Sequence, residues 1–155
     1  MVRILLCIVI IFCGAVTGLY LSRRLIRRRD VLMGFERMLH RAMTWIEYNG
    51  GDLYEAFSEN FAEFSFSRDA PFDKQWRELV KSVSSVLTKD DLRILTEFIC
   101  GLGTADVDVQ RRHITLYTEL LRERIEYAKE DIRMKSKMLR IVPLSAGVVI
   151  ALVLI

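Results

Sequence analysis

The chain has 155 residues, 52% of them hydrophobic and 28% charged, an oily composition for a water-soluble domain of this length. Its formal net charge of +3 is local, because Arg3, Arg23, Arg24, Arg27, Arg28 and Arg29 supply 6 of the 23 basic residues and leave 17 against 20 acidic ones. The remaining body is slightly acidic, which argues against a nucleic-acid reader, whose cations spread over a folded face.

Ile4 to Leu21 contains no charged residue and as a helix measures about 27 Å, enough to cross a hydrocarbon core. A cleaved signal peptide is the rival reading. It is disfavoured by the single basic residue before the stretch, by the lack of an Ala-x-Ala exit and by the five arginines that follow. Ile10, Ile11 and Phe12 are likewise too large for a lipoprotein signal ending at Cys13. The run is read as an uncleaved transmembrane helix.

From Leu32 the residues Leu32, Phe35, Leu39, Ala42 and Ile46 recur at helical spacing, with Val31, Met38 and Trp45 alongside, a broad apolar face for a helix with several neighbours. Asn49, Gly50 and Gly51 end it. Asp52 with Glu55 forms a capping-box pattern for a second helix, whose apolar face is Leu53, Ala56, Phe57 and Phe61. Phe61 to Ala70 reads as a connection that still buries rings, and Pro71 suits the first turn of a helix carrying Phe72, Trp76, Leu79, Val80 and Val83. Thr88 with Asp91 is another capping box, opening a helix through Leu92, Leu95, Phe98 and Ile99 that Gly101 and Gly103 close.

The last helix starts near Asp106 or Asp108 and meets neither Gly nor Pro until Pro143. Ile114, Tyr117, Leu121, Ile125, Ala128 and Ile132 form one apolar row, with Leu116, Leu120, Tyr127 and Met134 beside it. Such a length suggests a coiled-coil partner or a bundle spine. Ile141 to Ile155 is a second charge-free block, about 22 Å as a helix, extended inward by Met138 and Leu139 and flanked by Lys137 and Arg140, whose stems can snorkel to headgroups. A buried core helix is the alternative. Both basic flanks fall on the inner side of the two blocks, so the expected topology holds the middle of the chain in the cytoplasm and both termini across the membrane.

Nothing in the pattern supplies an active site. His40 and His113 lie among arginines without a spaced acidic partner. Gly101-Leu102-Gly103 lacks the remaining glycines and the Lys-Ser/Thr ending of a phosphate loop, and Asp106 and Asp108 suit a helix start better than a metal. No cofactor or metal is expected. Two roles fit the arginine cluster: setting topology and binding anionic headgroups. Glu55, Glu59 and Glu63 step by four along one helix, a candidate contact ridge for a basic partner or a solvated face. A membrane-tethered sensor or adaptor is the other functional class, and it predicts a pocket lined by Phe35, Trp45, Trp76 and Phe98.

A run of short patterns carries a resemblance. Leu39, Glu47 and Tyr48 are followed by Leu53, Glu55 and Ala56; then come Gly101, Leu102, Gly103, Asp106 and Gln110, and finally Lys137, Met138, Arg140 and Gly147. In this order, between two terminal apolar blocks, the chain resembles the stage III sporulation protein AB family of endospore-forming bacteria. It departs where the family often places Pro, here Asp52, and Gly, here Pro143. The resemblance implies an all-α antiparallel bundle of about six helices similar to the cytoplasmic domain of type II secretion F proteins. That bundle would occupy residues 22–140, between transmembrane helices at 4–21 and 141–155. It further implies a non-enzymatic platform of the transenvelope channel complex on the mother-cell side. Its partners would be a secretion-type ATPase and other channel proteins, with homo-oligomers an open question.

Overall fold

The computed structural model describes the backbone of residues 2–49, 57, 66–67, 69–102 and 106–154, and the side chains of 12, 16–48, 57, 66–67, 69–102 and 106–135. Among these the fold is all-helical. Helix α1 spans Val2–Asn49, α2 Phe72–Val83, α3 Lys89–Phe98 with a 3-10 turn at Ile99–Gly101, and α4 Val107–Leu154. The second helix and the Glu55, Glu59 and Glu63 ridge predicted from sequence lie outside the described residues, as do Leu53, Ala56 and Gly103.

The chain divides into two compact units, one of Arg28–Glu126 and one of Met1–Arg27 with Tyr127–Ile155. The first unit holds an aromatic core. Trp76 is fully buried, and its ring lies 5.6 Å from Phe35, 6.0 Å from Phe57 and 4.9 Å from Phe98. Phe66 stacks on Phe72 at 5.0 Å. Around them the expected rows bury Leu32, Leu39, Ala42 and Ile46 from α1, Leu79 and Val80 from α2, Leu95 and Ile99, and Ile114, Leu121 and Ile125 from α4. The indole N–H of Trp76 donates to the Leu95 carbonyl at 2.7 Å, so the largest core side chain is also hydrogen-bonded.

Local chemistry explains the boundaries. Pro71 is the N-cap of α2, one position before the first turn; its carbonyl accepts from the backbone N–H groups of Lys74 and Gln75. Thr88 and Asp91 form the complete capping box of α3. Asp106 caps α4, its carboxylate accepting from Val107 N–H at 2.8 Å and its carbonyl from Val109 and Gln110.

Within residues 28–126, α1 and α4 run antiparallel in register. Arg111 pairs with Glu47 at 3.6 Å, the Thr115 hydroxyl donates to Met43 sulfur at 3.3 Å, and Arg122 pairs with Glu36 at 3.4 Å. Steps of four and seven down one helix are matched by the same steps up the other. Trp45, expected beside the core row, is 38% exposed, and Leu116 beside the α4 row is 56% exposed. Each sits on the side of its helix turned from the core.

In the other unit, Phe12, Val16, Leu19 and Tyr20 are exposed and Ala128 is buried, with Lys135 paired to Asp131 at 2.6 Å. Among the described residues no helix is long and apolar enough to cross a membrane. The side chains of 2–11, 13–15 and 136–155, which carry most of both proposed spans together with Lys137 and Arg140, lie outside the described residues.

Candidate functional site

The most elaborate polar arrangement is a buried ion cluster that ties α1, α3 and α4 together in residues 28–126. Asp91, fully buried, accepts from Arg28 Nε at 2.8 Å and from a terminal nitrogen of the same guanidinium at 3.1 Å. Arg124 Nε donates to the carboxylate at 2.8 Å, and its terminal nitrogen reaches Thr88 Oγ1 at 3.2 Å and Asp90 at 3.4 Å. Thr88 N–H donates to the carboxylate at 3.0 Å. Burial alone would raise the carboxyl pKa. The Arg28 fork, the Thr88 N–H and Arg124 reverse that and bring it from 3.8 down to about 2.

Arg28 therefore leaves the group of membrane-flanking cations. The residue is 6% exposed and its side chain is bound to Asp91, whereas Arg23, Arg24 and Arg27 are exposed. Arg29 is half-buried and pairs with Asp30 at 2.6 Å. Sequence reasoning read Asp91 as a cap and Arg28 as a flanking charge. It missed Arg124 altogether, since only the fold brings together residues 63 and 33 positions apart.

A second cluster lies where α3 ends. His113 Nε2–H donates to the Phe98 carbonyl at 2.8 Å, and its ring stacks on Phe98 at 5.6 Å and lies tilted against Tyr117 at 4.6 Å. A Cβ added at Gly101 would overlap the imidazole, with His113 Nδ1 only 2.7 Å away, so the turn needs glycine for close approach. Burial, with Glu97 and Cys100 nearby, holds the Tyr117 proton more tightly than usual. The other singled-out positions play different parts. Leu39 is core and Tyr48 is 82% exposed, Leu102 and Gln110 are half-buried, and Glu47 pairs with Arg111.

Phe35 and Phe98 each pack against Trp76, and the fourth proposed pocket residue, Trp45, is at the surface. An open groove of about 410 Å³ lies elsewhere, lined by Met43, Glu47, Arg111, Arg112, Thr115 and Leu116. Among the described residues no group of His, Cys, Asp or Glu could hold a metal ion.

The sequence profile of stage III sporulation protein AB matches residues 3–155. The chain belongs to the stage III sporulation protein AB family. It is thus a sporulation-related protein, and the match spans both terminal blocks as well as the helical body. No curated protein and no solved structure matches the chain.

Proposed function

We propose that this protein is a membrane-anchored, non-enzymatic platform of the mother cell–forespore channel complex, on which a cytoplasmic secretion-type ATPase meets channel proteins. The observation that carries the reading is the packing of the described core rings of residues 28–126 on one another. The aromatics that a ligand-binding adaptor would line a pocket with instead pack ring against ring around Trp76.

Anchoring is supported by the terminal unit. Phe12, Val16, Leu19 and Tyr20 are each at least half exposed, a cost of roughly 25 cal/mol per Å² of apolar surface left in water. Tyr20 then stands next to the exposed Arg23, Arg24 and Arg27, the order of apolar stretch, interfacial aromatic and cations found at a cytoplasmic membrane boundary. The proposed spans are 4–21 and 141–155, with the intervening body in the cytoplasm and both termini across the mother-cell membrane. The likeness to type II secretion F domains, with a bundle of about six helices, belongs to the same proposal, as does the Glu55, Glu59 and Glu63 ridge as a partner contact.

Co-purification from membranes of sporulating cells, with and without the secretion-type ATPase, tests the role. Recovery with the ATPase and channel proteins is expected; recovery of neither refutes it. Cysteines at the two termini should react with an impermeant thiol reagent in intact cells, and protection until lysis would refute the topology.

A further inference from the structure

The run Arg23, Arg24, Arg27, Arg28 and Arg29 looks uniform in sequence, and the structure sorts it. Arg28 is buried on Asp91, Arg29 pairs with Asp30, and Arg24 is also engaged. Arg23 and Arg27 are exposed and make no hydrogen bond or ion pair among the described residues. They stand one turn apart on α1, about 6 Å along its axis. Phe12, Val16, Leu19, Arg23 and Arg27 step by 4, 3, 4 and 4, so all five share one side of the helix. The first three are at least half exposed, while Gly18 and Leu25, on the opposite side, are buried and half-buried. One outward stripe is thus apolar along its first part and cationic along its second.

The order along that stripe identifies what covers it. The charge-free run ends at Leu21, which places Arg23 about 3 Å and Arg27 about 9 Å beyond it, against a headgroup layer about 5–8 Å deep. Helical side chains lean towards the helix N-terminus. For α1 that is the direction of the apolar run, so both guanidinium groups are carried back towards the bilayer. Each offers a planar fork that matches two phosphate oxygens. An acidic protein would answer the two cations and leave Phe12, Val16 and Leu19 in water. A lipid covers both parts with one molecule, acyl chains against the apolar residues and phosphate against the cations. A headgroup with net negative charge is favoured over a zwitterionic one, whose own ammonium competes for the same phosphate.

We propose that Arg23 and Arg27 form a binding site for the phosphate of an anionic glycerophospholipid, whose acyl chains lie along Phe12, Val16 and Leu19. The contact rests on the membrane span at 4–21 and adds to it the class of lipid and the two residues that select it.

The test reconstitutes the full-length chain, as Tyr20→Trp with Trp45→Phe, in vesicles of phosphatidylcholine and phosphatidylglycerol in which one lipid or the other carries bromine on its acyl chains. The chain that retains Tyr20 is the blank for Trp76. Quenching should report a preference for phosphatidylglycerol of about five-fold, the factor that one cation contributes at an anionic surface. Arg23→Gln and Arg27→Gln should each lower the preference and together abolish it. Arg29→Gln, which removes a charge from the same run, should leave it unchanged. Circular dichroism confirms that each variant is helical. Equal quenching by the two lipids, or an equal loss in Arg29→Gln and Arg23→Gln, overturns the proposal. So does loss of the preference in inorganic phosphate but not in chloride of the same ionic strength, which would make a soluble anion the ligand. A chain that fails to float with the vesicles refutes the span itself, whereas equal quenching in a chain that floats refutes only the headgroup contact.

Discussion

Asp91→Asn is the sharpest perturbation of this structure, because it keeps the shape of the side chain and removes the one charge that Arg28 and Arg124 share. The lowering of the Asp91 pKa from 3.8 to about 2 corresponds to about 2 kcal/mol of folding stability at neutral pH. Removing the charge also takes from the buried Arg28, 6% exposed, the carboxylate its guanidinium forks onto, and breaking such a pair costs about 3–5 kcal/mol. The two figures overlap in what they describe, so the expected loss is about 3 kcal/mol, a large part of the stability of an ordinary domain. Because the folded pKa lies below the unfolded one, the wild-type contribution is complete above about pH 4 and disappears as the pH falls towards 2. The variant should show no such fall from this group. Urea titration of the full chain in detergent, followed by Trp76 fluorescence in a Trp45→Phe background, measures both effects. A variant within about 0.5 kcal/mol of wild type, or one with the same acid dependence between pH 4 and 2, would refute the reasoning.

Gly101→Ala should cost about 1–3 kcal/mol through overpacking against His113, measured as a lower Tm, and His113→Ala in the same chain should recover part of the loss; an undiminished Tm in Gly101→Ala refutes the close approach. Gln75 is buried and donates to the Ser67 and Ala70 carbonyls at 2.6 and 2.7 Å while accepting from Ser67 N–H at 2.8 Å. Gln75→Ala strips three partners from the loop before α2 and should cost about 1–3 kcal/mol. Limited proteolysis should then cut near residue 67 much faster than in the wild type.

Local features were legible in the sequence because their physics is local. Thr88 and Asp91 stand three apart, which suffices to announce a capping box, and the structure has it complete. The rows through Leu32 to Ile46 and Ile114 to Ile125 were legible because a helix buries what recurs every three to four residues. What the pattern does not encode is which distant helix a side chain meets. Arg28 reads as one more cation in a run of five, and only the packing of α1 beside α3 turns it inward to Asp91. Gln75 went unremarked in the sequence, because its partners, Ser67 and Ala70, lie in the connection before the helix. The second row of α4 illustrates the opposite difficulty: Leu116 has the spacing of a core residue, yet its neighbours Arg112 and Glu119 show that it borders a charged surface. Pro71 was misplaced by one position, since its fixed φ suits either the first turn or the cap before it.

The matched steps linking Glu47, Met43 and Glu36 to Arg111, Thr115 and Arg122 limit how this molecule can change in length. One codon gained or lost between residues 36 and 47 would swing everything beyond it through about 100°. The Arg122 bridge would survive while the Arg111 bridge and the neighbouring core residues were carried off their faces. Natural variation in size should therefore collect in the connections between helices, and homologues of unequal length should keep the intervals within α1 and α4 unaltered.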